Sequence, residues 1–252
     1  MKTWFPLESN PELMNDYAGK LGMAGEYEYC DVYGFEDDLL DMVPKPVIAV
    51  MLLFPLTKEN QELQAQEDSK VDESSIPKDL FFMKQVSILF RSSDQLDKID
   101  NRYVSMVDDL TFVIGNACGT VAILHSLANN SKLLNLKEGF LFDFLKESEG
   151  KSSEQIAKAL ENDSRIEEAH TSTATSEQNS SAVVEDTNLH FVCFVEKDGH
   201  IYELDGRRKH PANRGKASGD LLKDAANVVR HYMSLNPDQY LFNVVALAKK
   251  QQ

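Results

Sequence analysis

Residues 47–56 read Val-Ile-Ala-Val-Met-Leu-Leu-Phe-Pro-Leu, ten apolar positions in succession. A strand with one solvated face alternates apolar and polar residues, so an unbroken run fits a strand covered on both faces. The chain is therefore expected to hold this segment inside a sheet with further layers above and below it. The run is too short for a membrane helix, which needs about 20 such residues. A chain of 252 residues can bury a full core as one unit, and a single domain over 1–252 is expected.

Other local signals place elements around that strand. Asn10 before Pro11 and Glu12 caps a helix start, and Gly22 suits its end. Residues 27–33, rich in aromatic and β-branched side chains, read as a strand. Residues 57–79 are charged and Gln-rich with little apolar periodicity, which predicts an exposed connection with a short helix at most. Ala117, Val121, Leu124 and Ala128 recur at helical spacing, so Cys118 falls in the first turn of a helix. Ser152 and Gln155 have the form of a capping box. Between Glu168 and Asn188 the composition turns to Thr, Ser, Ala, Asn and acid, which predicts a long loop. Residues 189–196 and 200–205 flank Asp198-Gly199, a dipeptide suited to a two-residue hairpin turn. A helix at 221–233 and a last strand at 240–248 complete the reading.

The net charge of −15 repels phosphate backbones and anionic lipid, so neither nucleic acid nor membrane is expected as a partner. A basic protein partner fits better. The first residues lack the apolar run and small residues of a secretory leader. Cys30, Cys118 and Cys193 have no metal-ligand spacing and cannot all pair, which points to a reducing, cytoplasmic setting and leaves thiol chemistry open. No metal or organic cofactor is implied.

A thiol attacks carbonyls as thiolate, and the first turn of a helix, with its unpaired amides, stabilises that anion. Small residues flank the sulfur in Asn116-Ala117-Cys118-Gly119-Thr120, leaving room for a substrate backbone. The hairpin supplies partners. With Lys197 opposite His200, paired positions sum to 397, so His190 faces Arg207 and Asp205 is its diagonal neighbour, about 7–8 Å away between backbones. A carboxylate there can fix the imidazole tautomer and stabilise imidazolium. Singly, each residue has a plainer reading: a buried structural cysteine, a strand histidine bonded to a neighbour, a turn-forming Asp. The remaining histidines, 125, 170, 200, 210 and 231, read as surface or packing residues.

These residues resemble the ubiquitin C-terminal hydrolase family of papain-like cysteine peptidases, in its short single-domain form. The resemblance runs through Trp4-Phe5-Pro6-Leu7-Glu8-Ser9-Asn10-Pro11, Asp31-Val32-Tyr33-Gly34, Met42-Val43-Pro44-Lys45-Pro46-Val47 and Phe82-Met83-Lys84-Gln85. It continues in Gly115-Asn116-Ala117-Cys118-Gly119-Thr120, Leu189-His190-Phe191, the stretch from Asp198 to Arg207, and Leu241-Phe242-Asn243. It implies an α/β (α+β) fold with a central antiparallel sheet flanked by helices and a knotted backbone. Cys118 would be the nucleophile, His190 the base and Asp205 the orienting acid of a thiol hydrolase acting on adducts of the ubiquitin C-terminus. Residues 171–186 match the family's active-site crossover loop. Pro6, Leu7, Glu8, Ser9, Asn10 and Pro11, the loop near 173–180, and residues 239–244 with Leu241, Phe242 and Asn243 match segments that contact ubiquitin. The protein is expected to act as a monomer with ubiquitin as partner.

One departure stands out. The family carries a Gln six positions before the nucleophile, where its amide joins the oxyanion hole. Here Gln85 stands in the matching motif but 33 positions upstream (118 − 85), a surplus of 27 residues at about 86–112, and Phe112 is six before Cys118. The surplus is either a natural looped-out insertion or a retained intron. Closing such a loop costs roughly 3 kcal/mol, which leaves room for Gln85 to keep its place. The alternative is a ubiquitin-binding protein whose chemistry is impaired because the insert displaces Gln85.

Overall fold

In the computed structural model, which describes residues 5–85, 116–176 and 188–251, the apolar run forms β2 (Val47–Pro55). It is the third strand of a six-stranded antiparallel sheet. The spatial order is β1 (Tyr27–Asp31), β6 (Asn243–Lys249), β2, β3 (Leu189–Lys197), β4 (His200–Leu204) and β5 (Ala212–Lys216).

Alternate residues of β2 feed two separate cores. Ala49 and Met51 pack with α1 (Pro11–Leu21), α4 (Cys118–Asn129), α5 (Phe140–Ser148), α6 (Ser153–Glu161) and α7 (Ser164–Ala174). Val50, Leu52 and Phe54 pack on the opposite face with α2 (Asp37–Leu40) and α8 (Leu221–Leu235). This is the double coverage that an unbroken apolar strand requires, each fully buried large side chain contributing about 1.5–3 kcal/mol relative to exposure. Among the described residues no helix is long and apolar enough to cross a membrane.

The capping signals act as their residue types dictate. The Asn10 side chain accepts from the Glu12 and Leu13 amides at 2.9 and 3.4 Å, and Gly22 closes α1 at φ 110°. Ser152 and Gln155 form a reciprocal capping box on α6. In the β3–β4 hairpin, Lys197 pairs with His200 and Cys193 with Leu204, the register expected from the Asp198-Gly199 turn.

Three expectations are corrected. Residues 57–79 hold a helix of 11 residues, α3 (Lys58–Asp68), followed by a 3₁₀ turn at Glu73–Ser75. Its buried face carries Asn60 and Gln64 rather than apolar residues, so a search for apolar periodicity passes over it. The loop expected after Glu168 begins later, because α7 continues to Ala174 and buries Ile166, His170, Thr173 and Ala174. Residues 171–174 of the supposed crossover loop are thus helical, and 177–186 lie outside the described residues, as does the insert at 86–112. The last strand starts at Asn243, since Tyr240 and Leu241 are exposed and leave nothing for a ladder to bury.

Candidate active site

Cys118 is the first residue of α4, following Ala117 at the cap and Asn116, which takes φ 61°. That left-handed turn, tolerated best by Asn among residues with a side chain, delivers the chain into the helix with the sulfur at its N-terminal end. Cys118 is partly exposed and lines a pocket with Pro6, Leu7, Ser9, Phe191 and Asn243. Gly119 lets Leu7 and Phe191, two of the lining residues, pack closely against α4. A Cβ there would stand 3.2 Å from Leu7 Cβ and 3.4 Å from Phe191 Cδ2.

His190 is the second residue of β3, at the end of the sheet, and is buried. Its parity is that of Val192 and Phe194, which pack with α8, whereas α4 packs on the other face. The Cys118–His190 contact therefore joins the two layers around the sheet end. His190 Nε2–H donates to Asp205 Oδ1 at 2.7 Å, a carboxylate having no proton to give. This leaves Nδ1 for the hydrogen bond with Cys118. Asp205, fully buried one residue past β4, also accepts from the Arg207 amide at 2.8 Å on Oδ1 and from Gln64 Nε2 at 3.2 Å on Oδ2.

The electrostatics follow from that chain of contacts. Burial alone pushes the Cys118 thiol up, but the hydrogen bond and charge of His190 and the amides of Phe191 and Gly119 bring it below its ordinary value. Burial likewise disfavours imidazolium at His190, and Asp205 together with the Cys118 thiolate outweighs it, raising His190 well above the usual range. Burial would raise Asp205, yet His190, the Arg207 amide and the Arg208 charge hold it low. Both shifts run in the direction that favours a thiolate beside an imidazolium.

The segment carrying Gln85 is fastened to α4, the helix that begins at Cys118. Asn129 exchanges two hydrogen bonds of 2.9 Å with the Phe81 main chain, and buried His125 bonds to the Met83 main chain with Phe82 stacked on its ring. At the end of the segment the Gln85 amide donates to Gly206 O at 2.7 Å. Gln85 thus sits beside the residue that follows Asp205, with Val121 of α4 close by. Its Oε1 is buried and has no partner among the described residues.

Pro6, Leu7, Glu8 and Ser9 reach the site together with Asn243, and Ser9 Oγ donates to Asn243 Oδ1 at 2.6 Å. Asn10 and Pro11 are spent on starting α1, while Leu241 is exposed and Phe242 packs against the α8 core. A directed chain holds the N-terminal segment. Phe5 O only accepts, so His170 Nε2 carries the proton (3.0 Å) and its Nδ1 takes the Thr120 hydroxyl (3.0 Å), which in turn accepts from Tyr17 (3.2 Å). Gln64, Thr120 and His170 were not singled out by the sequence reading. A polar i, i+4 stripe at Asn60 and Gln64 is the one signal that pointed to the first of them.

Comparison with known proteins gives the same frame. A family model described as ubiquitin carboxyl-terminal hydrolase, family 1 matches residues 4–88 and 92–234. The chain is 37% identical over 252 residues to ubiquitin carboxyl-terminal hydrolase 3 of Arabidopsis thaliana, covering 99% of this chain and 95% of that one. It is 37% identical over 255 residues to the ubiquitin carboxyl-terminal hydrolase of Drosophila melanogaster, covering 100% of both. Human isozyme L1 is 35% identical over 246 residues, 97% of each chain. Among solved structures, the Trichinella spiralis UCH37 catalytic domain bound to ubiquitin vinyl methyl ester superposes with a TM-score of 0.69 at 20% identity, over 98% of this chain and 96% of that one. The match in fold and the match in sequence over nearly the whole chain agree: this chain belongs to ubiquitin carboxyl-terminal hydrolase family 1.

Proposed function

We propose that this protein is a deubiquitinating thiol hydrolase that releases small adducts or peptides from the C-terminal glycine of ubiquitin. The observation that carries the reading is the Cys118–His190–Asp205 line, whose first member opens on a pocket lined by Pro6, Leu7, Ser9, Phe191 and Asn243. In the proposed reaction the Cys118 thiolate adds to the glycine carbonyl carbon. The tetrahedral oxyanion collapses as the His190 imidazolium gives its proton to the departing amine, leaving a thioester on Cys118. Neutral His190 then takes a proton from water, whose oxygen attacks the thioester; collapse frees the ubiquitin carboxylate and restores the ion pair. The α4 N-terminus and the Gln85 amide are assigned to the oxyanion.

Ubiquitin docking is assigned to Pro6, Leu7, Glu8, Ser9, Asn10, Pro11, Leu241, Phe242 and Asn243. The small residues around Cys118 favour a tail ending in glycines, and the net charge of −15 favours a basic partner face. The protein acts as a single-domain monomer in the cytoplasm, where its three cysteines, all free, stay reduced.

The test is fluorophore release from the ubiquitin C-terminus by the purified chain beside Cys118→Ala. Turnover that disappears in the variant supports the reading. A folded wild-type protein that binds ubiquitin without turnover overturns it in favour of the impaired binding module.

A further inference from the structure

Asp205 has two carboxylate oxygens, and the reaction accounts for one. Oδ1 takes His190 Nε2–H and the Arg207 amide, while Oδ2 is met by the side chain of Gln64, from a helix remote in sequence. A carboxylate held by one oxygen can turn about its Cβ–Cγ bond and carry its partner's ring with it. Holding the second oxygen fixes the plane.

Gln64 is itself fixed. Arg208, three residues past Asp205, bonds to Asp68 Oδ1 and Glu67 Oε2 at 2.8 Å each and to Gln64 O at 3.5 Å, clamping α3 against the loop that carries Asp205. One turn earlier, Asn60 Nδ2 donates to Pro55 O at 3.2 Å and Asn60 Oδ1 accepts from Asn236 at 2.8 Å. The Gln64 amide reaches Asp205 from a main chain that is already fixed, so only the side chain's own rotamers are ordered by the bond.

We propose that Gln64 is a positioning residue for the thiol chemistry, fixing the plane of the Asp205 carboxylate and through it the aim of His190 at Cys118. The inference rests on the reading of Cys118 as nucleophile and goes beyond it by making α3 part of the machinery.

The decisive variant is Gln64→Glu, nearly the same in shape. Its carboxyl would face Asp205, Glu203 of β4 and the Tyr232 hydroxyl of α8, which with burial favour the protonated acid, against His190 and Arg208, which favour the anion. His125 of α4, pushed down to about 4 by burial, adds no charge. With Asp205 nearest, the introduced acid titrates above the ordinary carboxyl range. Below that point it donates O–H to Asp205 as the amide does; above it, two carboxylates repel.

Two readouts on the full chain separate this proposal from the assigned function: ubiquitin–fluorophore turnover, and iodoacetamide alkylation of Cys118 against pH, followed by the mass of the Cys118 peptide. Cys30, raised to about 11, and Cys193, raised further, do not interfere at neutral pH. Gln64→Ala is expected to lose roughly tenfold in kcat with KM within twofold, well short of the ~10⁴-fold that follows when a triad acid is neutralised. Gln64→Glu is expected to match wild type at acid pH and then fall, in both turnover and alkylation, through a new ionisation absent from wild type. Wild-type profiles in both variants overturn the proposal, as does a loss in Gln64→Ala that tracks its melting temperature while Gln64→Glu shows no new ionisation. If wild type itself fails to turn over ubiquitin yet Gln64→Glu still shifts the alkylation profile, the positioning role stands and the assigned function falls.

Discussion

Gly206→Ala tests the assignment of Gln85 from the opposite side of the contact. A Cβ at Gly206 would stand 2.7 Å from the Gln85 amide nitrogen, 2.9 Å from Gln85 Cβ and 3.0 Å from Val121 Cγ1. Ordinary van der Waals contact begins near 3.4 Å, so the Gln85 backbone must retreat by about 0.7 Å, the difference between 3.4 and 2.7 Å. Because the Gln85 main-chain N–H···O bond to Gly206, 2.7 Å long, crosses the same gap, the retreat stretches and weakens it. Overpacking costs about 1–3 kcal/mol and the weakened bond at most about 1 kcal/mol, which a domain of this size survives. The chemistry suffers more, since losing one oxyanion donor costs about 10²- to 10³-fold in kcat. Stopped assays of fluorophore release should give kcat down about 10²-fold, KM little changed, and a Cys118 alkylation profile like wild type's, because the His190–Asp205 bond does not involve Gly206. Gln85→Ala added to Gly206→Ala should then cost almost nothing more. A kcat within threefold of wild type, or a full further hundredfold loss in the double variant, would refute the reasoning.

Replacing the nucleophile in Cys118→Ala should abolish turnover while calorimetry finds ubiquitin affinity within a few-fold of wild type; lost binding would mean the sulfur side shapes recognition. With the Cys118 thiol lowered and His190 raised, kcat/KM should be flat around neutrality. It should fall in acid as the thiolate takes a proton, and fall in alkali only above the ordinary imidazole value of 6.5 as the imidazolium loses one. An alkaline limb at 6.5 contradicts the ion pair. His170 is pushed by burial from 6.5 down to about 4, a depressed group whose contribution is complete above 6.5 and lost as pH falls through 4. Integrated to pH 5, this loss is about 2 kcal/mol. Urea melts at pH 7 and pH 5 should show wild type losing that much more than His170→Asn, and equal losses would remove His170 as the cause.

Legibility followed the kind of contact each element makes. β2 was plain because ten apolar residues admit few placements, and the hairpin because Asp198-Gly199 fixes the register that brings Asp205 to His190. Both signals are local. α3 was read as a short helix at most because its buried residues are polar: Asn60 and Gln64 are buried against main-chain oxygen, Asn236 and Asp205, partners that only the folded chain assembles. The part of α7 past Glu168 was read as loop for the same reason, its buried residues there including His170 and Thr173, bonded to Thr120, Lys20 and Asp16. A helix packed through hydrogen bonds has no hydrophobic period to read.

The same division governs how the site is built. Acid and base lie 15 residues apart on one hairpin, and a short loop closes their geometry. Cys118 comes from a helix on the opposite face of the sheet and meets His190 only where β3 begins. Such a meeting point needs bracing from both layers. It receives it from His125 and Asn129, which tie the Gln85 segment to α4, and from Gln64 and Arg208, which tie α3 to the Asp205 loop. Each brace is a buried or part-buried polar bond, strong only while its geometry is satisfied. Substitutions at these bracing positions should accordingly reach kcat before KM, because the N-terminal segment assigned to docking is held through Phe5 O and the start of α1, contacts that none of these braces makes.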